Sequence, residues 1–423
     1  MFIRLPAVLL STVGIVLAVV GRDAGLAFLV SGLIVLLVLA DALLAPNPSR
    51  LVFERAGEET ARVGEDARAL LTVSNPSDRR IRGQIRDAWP PSAHVTPSRH
   101  DFDIPAGQGH EFESTLSPTR RGTIHSSALT IRTNGPLGLA GRQKSAPTRW
   151  QLRVLPPFVS RRHIPSRVRQ LRELDGRSLL LTRGEGTEFD SLREYVVGDD
   201  VRAIDWRSTA RLGDTVVRTW RPERDRHVVI VLDSGRGGAL RVCAHPAFDA
   251  FIEVALLQAA IAQKAGDRVS VLALDDRLRA RQASEKTAAV THHIAQTLAD
   301  VEPSLLATDW QALPAHISRI SRRQAFIVIL TTLGGGTLST GLVDVLPALR
   351  KSHTVMIASA SREFDAHAAD VFERAAQERS ELETTNLIRT LENAGAVVVR
   401  ATAERLPVAV VDTYLRLKAK GRL

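Results

Sequence analysis

The stretch HVVIVLDS, His227 to Ser234, decides the fold class. A continuous run of β-branched and apolar residues closing on an acid is the pattern of a strand buried on both faces, as in parallel sheets. The same texture returns at RVSVLALD (268–275), AFIVILTT (325–332), HTVMIAS (353–359) and AVVVRA (396–401). Helical patterns fall between them at 248–264, 287–300, 310–321, 342–350 and 366–393, and a closing one at 407–420. After Asp275-Asp276 the run RLRARQ (277–282) reads as an edge hairpin strand. This alternation predicts an α/β domain over 227–423, its sheet covered by helices on both faces and any site at the carboxyl ends of the strands.

Upstream lies RGEGTEFDSLREYVVGDDVRAIDWRSTARLGDTVVRTWRPERDR, Arg183 to Arg226, with ten carboxylates and nine arginines interleaved with Tyr195, Trp206 and Trp220. A metal centre needs a local excess of oxygen ligands, usually with His or Cys among them. The stretch has neither, so its balance reads as planar guanidinium forks matched to carboxylates. Glu188, Arg193, Tyr195, Asp199, Asp200, Arg202, Asp205, Trp206 and Arg211 are the candidate partner-binding residues, and Trp206 is expected to be a buried anchor. The region 158–226 is expected to be a basic, solvated connector followed by this motif.

G-x-G-x-E-F-D-x-L-R-E-Y-x-x-G-D-D-x-R-x-I-D-W-x-x-x-A-R, Gly184 through Arg211, resembles the signature of the domain of unknown function 58 (DUF58) family. Arg120-Arg121-Gly122 and Pro136-Leu137-Gly138-Leu139 resemble further marks of that family. The resemblance implies a membrane-anchored protein whose motif precedes a von Willebrand factor A-like domain with a Rossmann-type sheet. It also implies a MoxR-type AAA+ ATPase as partner, in assembly or regulation of envelope proteins, with the client unknown. In A domains the first strand ends in D-x-S-x-S, and a loop threonine and a later Asp complete a Mg²⁺ site. Here Asp233 and Thr308 match as metal-site candidates, whereas Gly235 and Gly237 replace the serines and Thr332 stands where the Asp belongs. So degenerate a set predicts no Mg²⁺ cofactor, with Asp233 bonded to nearby backbone N–H groups or paired with an Arg such as Arg236. The alternative function is a divalent-metal-dependent hydrolase or phosphatase with Asp233 as nucleophile. That chemistry wants a second Asp where Gly235 stands, and no G-x-x-x-x-G-K-[ST] run occurs. The expectation is therefore a non-enzymatic adaptor.

At the amino end, apolar runs at Leu5–Val20 and Ala24–Leu44 flank Gly21-Arg22-Asp23 and predict a transmembrane helical hairpin over 1–45. Arg4, Arg50, Arg55 and Arg62 outweigh Arg22, which predicts a multi-pass protein of the inner membrane with both ends cytoplasmic. Residues 46–157 carry short alternating stretches between turn signals such as Asn75-Pro76 and Asn134-Gly135-Pro136, the texture of a small all-β sandwich. The net charge of +10 and pI near 10.6 come almost wholly from arginines spread among acids. With no basic run interleaved with aromatics and no DNA-binding motif, nucleic acid is not an expected partner. The single Cys243 excludes an intramolecular disulfide.

Overall fold

The computed structural model describes residues 2–21, 24–181, 188–221, 226–242, 245–283, 289–321, 323–334, 340–361 and 371–423. The chain divides into two compact units, Met1–Pro157 and Phe158–Leu423.

The first unit begins with β1 (Phe2–Ile3), which leads into helices α1 (Leu5–Gly21) and α2 (Ala24–Leu44). Neither helix carries a charge in its described apolar body before Asp41, and they lie side by side, with Gly14 against Val30 and Ile34. Among the described residues one helical segment, Phe28–Arg50, is long and apolar enough to cross a bilayer, whose hydrocarbon core asks for about 20 residues.

The strands that follow are β2 (Val52–Gly57), β3 (Thr60–Arg62), β4 (Ala67–Ser74), β5 (Ile81–Ala88), β6 (Val95–Thr96), β7 (Arg99–Ile104) and β8 (Gly109–Leu116). β9 (Gly122–His125), β10 (Ala128–Asn134), β11 (Ala140–Ala146) and β12 (Gln151–Leu155) complete the set. They form sheets of order β1-β11-β10-β5-β7, β2-β4-β8-β6 and β3-β12-β9. Every second residue of β4 and β5 is buried, the period of a half-covered strand. The first two sheets share one core, in which Leu71, Val73 and Phe112 meet Ile81, Ile85 and Ile131.

Asp41, in the last turn of α2, is fully buried and joins helix to sheet. Its carboxylate accepts the amide N–H groups of Leu137 (2.6 Å), Leu139 (2.7 Å) and Ala140 (2.7 Å) in the β10–β11 turn. A Cβ at Gly135 would collide with it. Arg142 donates to the terminal α2 carbonyls of Ala42 and Leu43, satisfying groups a helix end leaves unpaired. The Pro136-Leu137-Gly138-Leu139 run thus wraps a helix-end anion.

In the second unit the stretch expected to be a solvated connector holds an 18-residue helix, α3 (Ile164–Leu181). The physical reason is specific pairing. Arg167 forks onto Asp412 (3.1 and 3.2 Å), Leu171 is buried, and the Glu253 carboxylate takes the Val159 and Ser160 amides and the Ser160 hydroxyl. Then come β13 (Glu188–Glu194), α4 (Trp206–Leu212) and β14 (Val216–Arg221), a ribbon considered below.

The α/β part runs β15 (His227–Asp233), α5 (Arg236–Ala239), α6 (Ala247–Lys264), β16 (Arg268–Leu274), β17 (Leu278–Gln282), α7 (Val290–Ala299) and α8 (Leu313–Ser318). It continues through β18 (Ala325–Leu330), α9 (Thr340–Arg350), β19 (Thr354–Ser361), α10 (Val371–Asn393), β20 (Val397–Thr402) and α11 (Leu406–Ala419). The sheet order is β17-β16-β15-β18-β19-β20, parallel throughout except for β17. Counted from β15 this is 3-2-1-4-5-6, a doubly wound order whose direction reverses between β15 and β18. The predicted edge strand is β17. The helix expected over 310–321 begins as a 3-10 turn, Trp310–Ala312, capped by Asp309 through the Gln311 and Ala312 amides, and continues as α8 to Ser318. The first residues of the helices expected at 287–300 and 366–393 lie outside the described residues.

Candidate docking ribbon and strand-end site

β13 and β14 pair antiparallel with a bulge between Phe189 and Ser191. Their long connection is braced by carboxylates that each do two things. Asp199 takes the Arg193 fork (2.7 and 2.6 Å) and the Val196 amide (3.0 Å). Asp200 accepts from the Arg202 amide (2.9 Å) and opens a short 3-10 turn. Asp205 caps α4 through the Arg207 and Ser208 amides (3.1 and 3.0 Å) and takes Arg218 Nε on its other oxygen (2.7 Å). Arg218 first, then the Ser208 amide, hold the Asp205 carboxyl below its ordinary range, and Asp199 raises the Arg193 guanidinium above its own. Gly213 ends α4 at φ 83°, a left-handed position that suits glycine. The Tyr195 amide bonds the Thr215 carbonyl (2.8 Å) and closes the loop.

Of the predicted partner-binding residues the ribbon therefore joins Arg193 to Asp199 and uses Asp200 and Asp205 as caps. Arg202 and Arg211 are exposed, without a carboxylate partner among the described residues. Gly184, Gly186 and the Glu188 side chain lie outside what is described. The expected burial of Trp206 is not met: it is 69% exposed at the first position of α4, since Asp205 and Val217 take the inward places. Sequence reasoning missed its companions. Val196, Val197 (96% exposed), Val201 and Leu212 also stand in solvent on this connection.

At the switch point, Asp233 ends β15, and its carboxylate accepts the Gly235 amide (2.9 Å), the Thr308 hydroxyl (2.5 Å) and the Thr331 hydroxyl (2.6 Å). Thr331, at the strand end but given no role by the sequence reading, reaches Asp233. Thr332 turns to the Gly237 carbonyl. Arg236 pairs with neither oxygen of Asp233; its Nε lies 3.4 Å from the Leu305 carbonyl. Burial pushes the Asp233 carboxyl above the usual range, against the pull of Thr308, Thr331 and Gly235, and the neighbouring Asp275 pushes the same way. Burial also pushes Asp275 up, but the Arg277 amide, the Arg279 guanidinium and the Ser304 hydroxyl bring it below the usual range. A Cβ on Gly235 would strike Thr308, and one on Gly237 would strike Asp233. The described oxygen set around Asp233 is one carboxylate and two threonine hydroxyls, hydrogen-bonded to each other, where Mg²⁺ takes near-octahedral oxygen coordination.

A doubly wound α/β unit preceded by an arginine–aspartate ribbon and an N-terminal all-β region defines a class, and residues 191–402 match the family described as protein of unknown function DUF58. The chain belongs to the DUF58 family. Residues 44–139 match a second family, described as abnormal spindle-like microcephaly-associated, ASPM-SPD-2-Hydin (ASH). No curated protein matches the chain. Among solved structures, a CARDB domain from Pyrococcus furiosus is 11% identical, with 25% of this chain and 91% of that one covered, at a TM-score of 0.18. A Bacteroides uniformis beta-glucuronidase is also 11% identical, with 83% and 45% covered, at 0.19. Similarity at that level carries no argument about fold or function.

Proposed function

We propose that this protein is a membrane-anchored, non-enzymatic adaptor whose ribbon docks a cytoplasmic partner. The observation that carries the reading is the combination in one 26-residue stretch, 193–218, of an arginine–aspartate frame with exposed Trp206, Val197, Val201 and Leu212. Aromatic residues and arginine are the side chains that protein interfaces enrich, and large apolar groups held out in water mark an interaction surface. The resemblance to the DUF58 family suggests a MoxR-type AAA+ ATPase as that partner and a von Willebrand factor A-like identity for the sheet, with which the strand order agrees. In this reading α1 and α2 form a transmembrane hairpin with both ends cytoplasmic, and the client is an envelope protein. The closed surroundings of Asp233 support a structural role for that carboxylate over a nucleophilic one. The test is binding of the full chain, in detergent micelles, to a purified MoxR-type ATPase. Trp206→Ala should weaken it at least tenfold and Asp233→Asn should leave it unchanged; equal binding by Trp206→Ala would sink the proposal.

A further inference from the structure

The two edges of the large sheet are finished differently. β17 carries Arg279 and Arg281, and a register shift interrupts its pairing with β16, devices that keep an edge from recruiting another strand. β20, VVVRAT, has neither a bulge nor a proline, and among the described strands it pairs only with β19. Along it runs an open groove of about 960 Å³. Val397, Val398, Val399 and Arg400 line this groove in succession. Neighbouring residues of a strand point to opposite faces, so a groove touched by all four follows the strand's edge. The opposite wall is one stripe of α11, Ala409, Asp412, Thr413 and Arg416, at the spacing of a single helix face, with Arg167 from α3 beside it.

The charge of the groove names its occupant. Arg167 is neutralised by Asp412, and Arg400 forks onto Glu381 at 2.6 and 2.7 Å. Among the described residues the exposed Arg416 donates from its side chain to the Thr413 hydroxyl alone, at 2.8 Å. We propose that the β20 edge accepts an extended acidic segment of a partner protein as an added strand, the mode in which main-chain bonds give affinity and flanking side chains give specificity. A carboxylate of that segment meets Arg416. A second copy of the chain is a poorer occupant, because the β20 strand it would add, VVVRAT, brings no carboxylate to Arg416. The site is separate from the ribbon and does not rest on it.

The experiment uses the full chain in detergent micelles and a fluorescein-labelled peptide of three Thr-Glu-Val-Glu repeats, with lysine replacing glutamate in a control peptide. Fluorescence anisotropy should show saturable binding of the acidic peptide only, weakened at least tenfold by Arg416→Glu and by high salt. Amide exchange at 397–402 should slow when the peptide is bound. Equal binding of the lysine peptide, or indifference to Arg416→Glu in a variant of unchanged melting temperature, would overturn the proposal. Exchange already slow without peptide, together with a dimer in sedimentation, would assign the edge to a second copy instead.

Discussion

In the ribbon, Asp205 meets the Arg218 guanidinium and two helix-end amides; in the sheet, Asp233 meets, among the described residues, two threonine hydroxyls and one amide. The first carboxyl is held below its ordinary range by a cation, and the second is pushed above it by burial. Each choice matches its surroundings. A charged brace at the surface fixes the shape of a two-stranded ribbon, which has too little core to be stable by packing alone, and leaves Trp206 and Val197 to solvent. Neutral donors around a buried carboxylate fasten the end of β15 to the end of β18 and to the loop carrying Thr308, at the switch-point crevice of the α/β sheet. The contrast is between an exposed ribbon held by ion pairs and a buried carboxylate held by neutral donors.

The largest expected effect lies in the crevice. Asp233→Ala leaves the Thr308 and Thr331 hydroxyls without their acceptor and should destabilise by about 2–4 kcal/mol, from unmet hydrogen bonds and lost packing. Urea unfolding of the full chain in detergent would read it. The pH dependence has a definite sign. A folded-state value raised above the unfolded one contributes stability at low pH that is lost as pH rises through the raised value. Wild type should therefore lose stability relative to Asp233→Asn as pH rises from about 4, the ordinary Asp value.

Gly237→Ala comes next, at about 1–3 kcal/mol, the usual range for overpacking a filled site, because its Cβ would enter the space of the Asp233 carboxylate. A variant as stable as wild type would mean that the crevice opens readily and would weaken the contrast drawn above.

In the ribbon, Asp205→Ala should cost less than either crevice substitution, mainly through the lost helix cap, since the half-exposed Arg218 pair adds little. Here the sign reverses. The depressed folded value means that the wild-type advantage is full above the ordinary Asp value, about 3.9, and fades as pH falls through the folded value. Trp206→Ala should change stability by less than about 0.5 kcal/mol, as surface substitutions do. A loss of about 3–5 kcal/mol, the range for a buried aromatic, would return Trp206 to the core.

The strands of the α/β part were legible because burial on both faces imposes unbroken apolar runs on β15, β18 and β19. The antiparallel edge strand was legible from its arginines and the Asp275-Asp276 turn. Asp41 was not: an acid ending an apolar helix looks like a boundary residue, and its amide partners lie 96 to 99 positions away. The choice between Thr331 and Thr332 turns on the pleat after β18, since adjacent residues face opposite ways. Trp206 was misread because aromatic rarity suggested burial, whereas the capping of α4 by Asp205 decides which way that helix faces. The helix α3 hid behind its arginines, of which Arg167 finds its partner, Asp412, far along the chain in α11.

The ribbon as the contact surface is tested most directly by photo-crosslinking in cells, with p-benzoylphenylalanine placed at Val197 on the ribbon or at Leu305, an exposed apolar residue beside the strand-end site. The account predicts one discrete adduct from Val197, lost when Trp206→Ala is added, and none from Leu305. An adduct from Leu305 with none from Val197 would place the partner at the crevice and contradict it.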